Sequence, residues 1–326
     1  VTDATPSAAA SAGGENTLSN KSGVVIAANP YSGFGPTRRR VAELTALLRE
    51  HRLRPSVIWD RAERAAVLRD PQLPLECRCV VAAGGDGTVA DVINEMPTSV
   101  PFATLPSGNE NLFAREFGFP RDGRSLARAI IAGRSQRIDL GRAGDRLFSL
   151  MLSVGFDAAV VHQVVAWRAN GQALRRVNRL SYAKPIVDVL RNYDYQSIQL
   201  EADGHCVTGT HAFVFNLPQY GFQFPFAPDA RGDDGWFDWL VFGRPGILAM
   251  LDYAYAVLRA KHRGRPDVAH GRARTIRIRA SRQVPVQLDG EAAGFTPIAA
   301  DIVPSALQVL RVPQGELQGW PTIQSA

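Results

Sequence analysis

"VVAAGGDGTVADVINEM", residues 80–96, decides how the first part of the chain is read. Val80, Val81, Ala82 and Ala83 form a short apolar run, as in a strand covered on both faces. Thr88 is placed to cap a helix, and Val89, Val92 and Ile93 recur at helical spacing after it. Between strand and helix, Gly84, Gly85 and Gly87 permit positive φ and let a ligand approach the backbone. A strand, a glycine turn and a helix N-terminus together offer N–H groups to an anion, usually phosphate. Asp86 stands out, because a bare carboxylate repels phosphate. Its presence makes sense where a divalent metal or a hydroxyl proton lies between the two. A plain tight βα turn is the bland alternative.

The same grammar extends on both sides. "GVVIAANP" reads as a buried strand, Arg38 to His51 as a helix through Val41, Leu44, Leu47 and Leu48, and "RPSVIWD" as a second strand. A short helix over Ala62–Leu68 precedes "RCVVAAG". After the helix from Val89 come the strand "PFATLP" and a helix from Asn111 to Phe117. This order predicts a parallel sheet with right-handed crossovers, and ligands at the carboxyl ends of its strands. Each end carries a polar turn: "NPYSG", "WDRAE", "GGDGT" and "PSGNEN".

Past about residue 136 the pattern changes. "RLFSLMLSVGFDAAVV", "SIQLEADG", "HAFVFNLPQYG", "WFDWLVFG", "TIRIRA" and "VPVQLDGE" read as strands, with helices near Val177–Tyr193 and Ile247–His262. The expectation is a β-rich antiparallel sandwich over 139–305, following an α/β nucleotide domain over 23–138. The piece "ALQVLRVP" (306–313), within a segment 306–320, is expected to return to the first domain, and residues 1–22 read as a disordered tail.

With 326 residues, a hydrophobic fraction of 45% and a mean hydropathy of −0.10, the chain has an ordinary globular composition and room for two domains. The formal charge of +6 rests on arginine, since only Lys21, Lys184 and Lys261 are lysines. That favours phosphate or anionic headgroups as partners, although Arg-rich coding gives the same composition. Charges are interleaved rather than blocked, which argues against a nucleic-acid arm. Cys77, Cys79 and Cys206 have neither disulfide nor zinc spacing and fit a reducing cytosol. No apolar run reaches transmembrane length. Arg259, Lys261, His262, Arg263 and Arg265, at or after the end of the Ile247–His262 stretch, suit either anionic headgroups or a helix C-terminus.

"NPYSG" (29–33), "GGDGT" (84–88), "LPSGNENLFAREFG" (105–118), "APDARGDDGWFDWLVF" (227–242) and "VQLDGEAAGFTP" (286–297) occur in the order and spacing of one family. Over residues 23–313 the chain resembles the diacylglycerol kinase catalytic family. Within it, the chain is most similar to the bacterial soluble lipid kinases, whose relatives include sphingosine and ceramide kinases. The resemblance implies an α/β fold, with an NAD-kinase-like N-terminal parallel-sheet domain and a β-rich antiparallel sandwich C-terminal domain. It also implies ATP with Mg²⁺, a lipid acceptor at a membrane surface, and a cytoplasmic enzyme associating peripherally with the bilayer. A homodimer is left open.

Phosphoryl transfer needs positioned phosphates, Mg²⁺ to neutralise charge, and a base at the acceptor hydroxyl. The chain lacks G-x-x-x-x-G-K-[ST], so backbone amides and metal must replace a P-loop lysine. The resemblance implies that Gly84, Gly85, Asp86, Gly87, Thr88, Val89 and Ala90 hold the phosphates, with Asn29, Ser32, Asp60 and Asn109 bordering the nucleotide. Asp86 then orients Mg·ATP, and Glu291 in "VQLDGE" is the general base. A structural Mg²⁺ site is implied at Asp234, completed by carbonyls of Arg231 and Trp236. The alternatives are turn chemistry at Asn29 and Ser32, a solvated hairpin glutamate, and a solvated acidic turn.

Three departures bear on these roles. The family's G-T-G-N is here Gly108-Asn109-Glu110-Asn111, which brings a negative charge toward the nucleotide. Asp60 replaces a frequent threonine, and "QYGFQFPF" (219–226) replaces a glycine cluster. An NAD kinase shares GGDGT and the general fold, but a G-x-N-x-G-x-L-G-F-type segment is missing. A nucleotide-sensing or lipid-binding protein without turnover is the third reading, motivated by Glu110 and Asp60.

Overall fold

Apolar runs alternating with amphipathic ones fold as strands and helices in turn. The computed structural model describes residues 16–17, 21–32, 36–169 and 183–313. Its first part runs β1 (Asn16–Thr17), β2 (Gly23–Ala28), α1 (Pro36–Glu50), β3 (Arg54–Ile58), α2 (Arg61–Leu68), α3 (Leu73–Glu76), β4 (Cys77–Gly84), α4 (Asp86–Glu95), β5 (Phe102–Pro106), α5 (Leu112–Glu116) and α6 (Gly123–Ala132). Strands β3, β2, β4 and β5 lie side by side in that order, all parallel. Ile26, Val80, Val81 and Phe102 are buried in the same core as Leu44 and Leu48 of α1, Ile93 of α4 and Ile130 of α6.

The second part runs β6 (Arg134–Ala143), β7 (Arg146–Phe148), β8 (Met151–Val154), α7 (Phe156–Ala169), α8 (Ala183–Asn192), β9 (Ile198–Ala202), β10 (His205–Gly209), β11 (His211–Phe215), β12 (Phe237–Phe242), α9 (Ile247–Leu258), β13 (Val268–Ala273), β14 (Thr275–Ala280), β15 (Pro285–Leu288), β16 (Glu291–Phe295) and β17 (Ile298–Leu310). Strands β13, β12, β11, β8, β15 and β16 form an antiparallel sheet in that order. Its Val154, Val214, Phe237 and Val286 pack on Leu200, Ile276 and Ile278 of β9 and β14, giving the sandwich core. The 13-residue β17 joins the two halves. It pairs antiparallel with β14 through Asp301 and parallel with β5 through Val309. At Val309, β17 thus lies beside β5 of the parallel set; residues 314–326 lie outside the described residues.

Three local readings are corrected. Residues 146–161 are not one strand: β8 stops at Val154, Gly155 turns the chain at φ +119°, and α7 begins at Phe156. Thr88 is not the cap of α4, which starts two residues earlier with Gly85 at the N-cap position. Within the expected tail, Asn16 and Thr17 pair with Ser135 and Arg134, so that pair of residues is strand; residues 1–15 lie outside the described residues. Cys77 and Cys79 are buried free thiols, and burial pushes Cys77 up to about 11.

Candidate active site

Parallel pairing brings the carboxyl ends of β2, β4 and β5 to one edge, and the three turns that follow are tied to each other there. The amide of Asn29 donates to the Ala83 carbonyl at 3.0 Å, and that of Ser107 to the Gly84 carbonyl at 2.9 Å. Asn29 Nδ2 donates to Thr88 Oγ1 at 3.2 Å, and Ser107 Oγ to Ser32 Oγ at 3.0 Å. A methyl group on Gly108 would stand 2.6 Å from the Gly85 Cα, so these two backbones approach as only glycine allows. None of Gly84, Gly85 and Gly87 has positive φ. Their value is room rather than unusual dihedrals, which corrects the sequence expectation.

Asn111, absent from the expected set, governs the third turn. Buried and itself at φ +52°, it accepts from the Gly108 amide at 2.8 Å and donates to the Gly108 carbonyl at 2.6 Å. Its neighbours Asn109 and Glu110 are exposed and half-buried, respectively. Asp60 serves another purpose. Its carboxylate accepts from the Glu63 amide at 2.9 Å and caps α2 beyond the edge strand β3. The aspartate standing for a threonine is thus a helix cap.

Asp86 opens α4, and its Oδ1 accepts from the Phe113 amide at 3.2 Å. Burial pushes its carboxyl up to about 6, opposed by the backbone donors of Leu112, Phe113 and Asn111, while the nearby Asp289 adds to the rise. The Thr88 amide donates to the Gly85 carbonyl at 2.9 Å, and helical geometry gives the Asp86 and Gly87 amides no partner within the helix, so α4 presents those two donors beside this carboxylate. Val89 and Ala90 are buried on the inner side of that turn.

Glu291 arrives from the other sheet. Asp289 and Gly290, at φ +50° and +83°, form a two-residue hairpin turn that pairs Leu288 with Glu291. The buried Asp289 carboxylate accepts from the amides of Ser149 (2.7 Å), Leu150 (2.8 Å) and Met151 (2.9 Å) and from Ser149 Oγ (3.0 Å). Helix α4 grips the same segment: Asn94 Oδ1 accepts from the Leu147 amide at 2.8 Å, and Asn94 Nδ2 donates to the Leu147 carbonyl at 2.9 Å. Residues 147–151 thereby hold both the glycine turn and the hairpin. As a result a methyl group on Gly87 would lie 2.9 Å from Glu291 Oε1.

A buried polar network lies under this hairpin. Gln287 accepts from the Gly290 amide at 2.7 Å and donates to Ser153 Oγ at 2.9 Å and Asp157 Oδ2 at 3.2 Å. Asp157 also accepts from Ser153 and Tyr220, and burial raises both Asp157 and Tyr220 above their usual ranges. The sequence did carry a signal for Asp157. "SVGFDA" repeats the strand–glycine–aspartate–helix order of "AAGGDG".

In the acidic turn each carboxylate faces an arginine. Asp234 pairs with Arg272 and accepts from the Trp236 amide at 3.1 Å; Asp233 pairs with Arg231 at 3.1 Å. Asp238 faces Arg263 and Arg272 at 3.8 and 3.9 Å. Arginines balance these charges, and no group of three acidic, His or Cys ligands converges among the described residues. As arranged, both oxygens of the Asp234 carboxylate are engaged by protein donors, Oδ1 by the Trp236 amide and Oδ2 by Arg272. Asp234→Ala should therefore leave the Mg²⁺ concentration for half-maximal activity unchanged and cost less than about 1 kcal/mol. A Mg²⁺ titration with a melting curve checks both.

Family models match both parts of the chain. The diacylglycerol kinase catalytic domain model matches residues 23–143, and the YegS C-terminal NAD kinase beta sandwich-like domain model matches residues 151–311. The diacylglycerol kinase of Staphylococcus carnosus is 25% identical over 276 residues, covering 82% of this chain and 88% of the relative. That of Bacillus subtilis is 26% identical, covering 72% and 76%. Among solved structures, a diacylglycerol kinase from Bacillus anthracis aligns with TM-score 0.65 at 18% identity, covering 90% of this chain and 98% of that one. An NAD kinase from Archaeoglobus fulgidus, in complex with ATP, aligns with TM-score 0.53 at 13% identity, covering 91% and 98%. These two likenesses speak to the fold.

Proposed function

Because this chain belongs to the bacterial soluble diacylglycerol kinase-like family, we propose that it is a lipid kinase using Mg·ATP on the hydroxyl of a diacylglycerol-like acceptor. The observation that carries the reading is the approach of Glu291 to Gly87. A carboxylate from the sandwich domain stands beside the turn that offers amides to phosphate. Glu291 removes the acceptor's proton as that oxygen bonds to the γ-phosphorus, and the bond to the β-phosphate oxygen breaks to leave ADP. Mg²⁺ enters with ATP as part of the substrate. One carboxylate plus substrate phosphates is its ordinary environment, and Asp86 is the carboxylate available. Asn29, Ser32, Thr88 and Asn111 hold the three turns in register, and Asn109 borders the nucleotide from the third.

Incubation with γ-labelled ATP, diacylglycerol and NAD, followed by extraction, tests the reading. Label in a chloroform-soluble product is expected. Label on NAD would make the chain an NAD kinase, and binding without either product would make it a nucleotide or lipid sensor.

Gly87→Ala gives a sharper check on the geometry. Alanine is the better helix former by roughly 1 kcal/mol, so α4 should be as stable or more so. Its methyl, however, would stand 2.9 Å from Glu291 Oε1, so the carboxylate must shift by a few tenths of an ångström and kcat should fall roughly several-fold. Full turnover in this variant would show that Glu291 has no fixed place beside the turn.

A further inference from the structure

One helix face takes no part in the site described above. Helix α9 buries Ala249, Tyr253, Ala256 and Val257. On its other side Leu248 is 83% exposed, Tyr255 64%, Leu258 59%, Leu251 58% and Ile247 41%. At 3.6 residues per turn these five side chains fall within an arc of about 100° and form a stripe roughly 17 Å long. So many large apolar groups on one exposed face mark a contact surface.

The charges around the stripe say what covers it. Asp252, the one acidic residue of α9, is paired with Arg244 and Arg265. Beyond the helix, His262 is buried on the Phe226 carbonyl at 2.8 Å, and Arg263 pairs with Asp229 at 3.0 Å. Arg259 and Lys261 are exposed, and neither makes an ion pair among the described residues. The stripe is therefore bordered by unneutralised positive charge. An apolar face with basic residues at its margin suits a lipid surface, where area can be small and headgroups are anionic.

The inner side of α9 supports the same assignment. Tyr253 packs on Phe242, which meets Phe213, and Phe213 meets Tyr220, the residue that donates to Asp157 under the Glu291 hairpin. The stripe thus lies on the face of the antiparallel sheet that carries the polar network of the site.

We propose that the α9 stripe docks the protein on an anionic phospholipid bilayer. Ile247, Leu248, Leu251, Tyr255 and Leu258 enter the headgroup–acyl boundary, and Arg259 and Lys261 meet the headgroups. The purpose of docking rests on the lipid-kinase reading; the surface itself does not.

The test is cosedimentation with vesicles of phosphatidylcholine alone or with one-third phosphatidylglycerol. Leu248→Glu/Leu251→Glu is compared with the unaltered protein, both side chains lying outside the core, and a matching melting curve confirms folding. The unaltered protein should prefer the anionic vesicles, and the double variant should bind them roughly tenfold or more weakly. Arg259→Glu/Lys261→Glu should abolish the preference for anionic lipid, lowering binding to the anionic vesicles roughly tenfold or more. In parallel, the leucine variant should phosphorylate a monomeric short-chain diacylglycerol normally but lose rate on vesicle-borne lipid. Unchanged vesicle binding by the leucine variant overturns the proposal, as does loss of a dimer in sedimentation velocity with vesicle binding intact. Failure of the unaltered protein to phosphorylate either lipid would instead overturn the kinase reading, while the vesicle arm still decides docking.

Discussion

Glu291→Gln should lower kcat by roughly 10²–10⁴ and leave both KM values nearly unchanged. The glutamine is nearly isosteric, and the contacts that shape the hairpin come from neighbouring residues. The turn is fixed by the positive φ of Asp289 and Gly290, by the four donors on the Asp289 carboxylate, and by Gln287 on the Gly290 amide. What is lost is the acceptor for the hydroxyl proton, an interaction made mainly in the transition state. Steady-state kinetics with lipid and ATP varied separately distinguishes this from positioning. A variant that keeps kcat and weakens only the lipid KM would make Glu291 a substrate-orienting residue, and another base would be required.

The local grammar of the first domain was legible because its signals are short-range. Apolar runs ending in polar turns marked β2, β4 and β5, and parallel pairing gathered Asn29, Gly85 and Ser107 at one edge. Helix α7 was not legible, since valine and alanine lie on most of its sides and no helical stripe remains to be read. That misreading hid Asp157, whose role shows only once its helix is seen packed against β15. The pairing of the acidic turn is not legible for a related reason. Asp233, Asp234 and Asp238 are neighbours in sequence, but Arg263 and Arg272, which neutralise the last two, arrive from other segments. The approach of Gly87 to Glu291 had no local signal at all. It follows from residues 147–151 serving as a shared anchor, a long-range fact that only the folded chain contains.

Asp86→Asn should abolish turnover and at the same time stabilise the protein, a combination that a purely structural carboxylate would not produce. Asparagine keeps an oxygen for the Phe113 amide but loses the charge that meets Mg·ATP, so a fall of at least a few hundred-fold is expected. The stability effect follows from burial. The carboxyl titrates near 6 in the folded protein against an ordinary 3.8, so between those values the folded chain holds a proton that the unfolded chain has released. The resulting stabilisation is complete below about pH 4 and is lost as pH rises through 6. Above that, folding must bear a charged Asp86 close to Asp289, at a cost of up to about 3 kcal/mol. Asparagine never carries this charge. The variant should melt higher than the unaltered protein at pH 7.5, and the difference should vanish at pH 4. For the unaltered enzyme, kcat/KM should decline below about pH 6 as Asp86 takes up its proton. Melting curves at both pH values, beside a pH–rate profile, measure the two effects independently. A variant that melts lower at pH 7.5, or retains a tenth of kcat, would mean that Asp86 mainly holds the α5 turn.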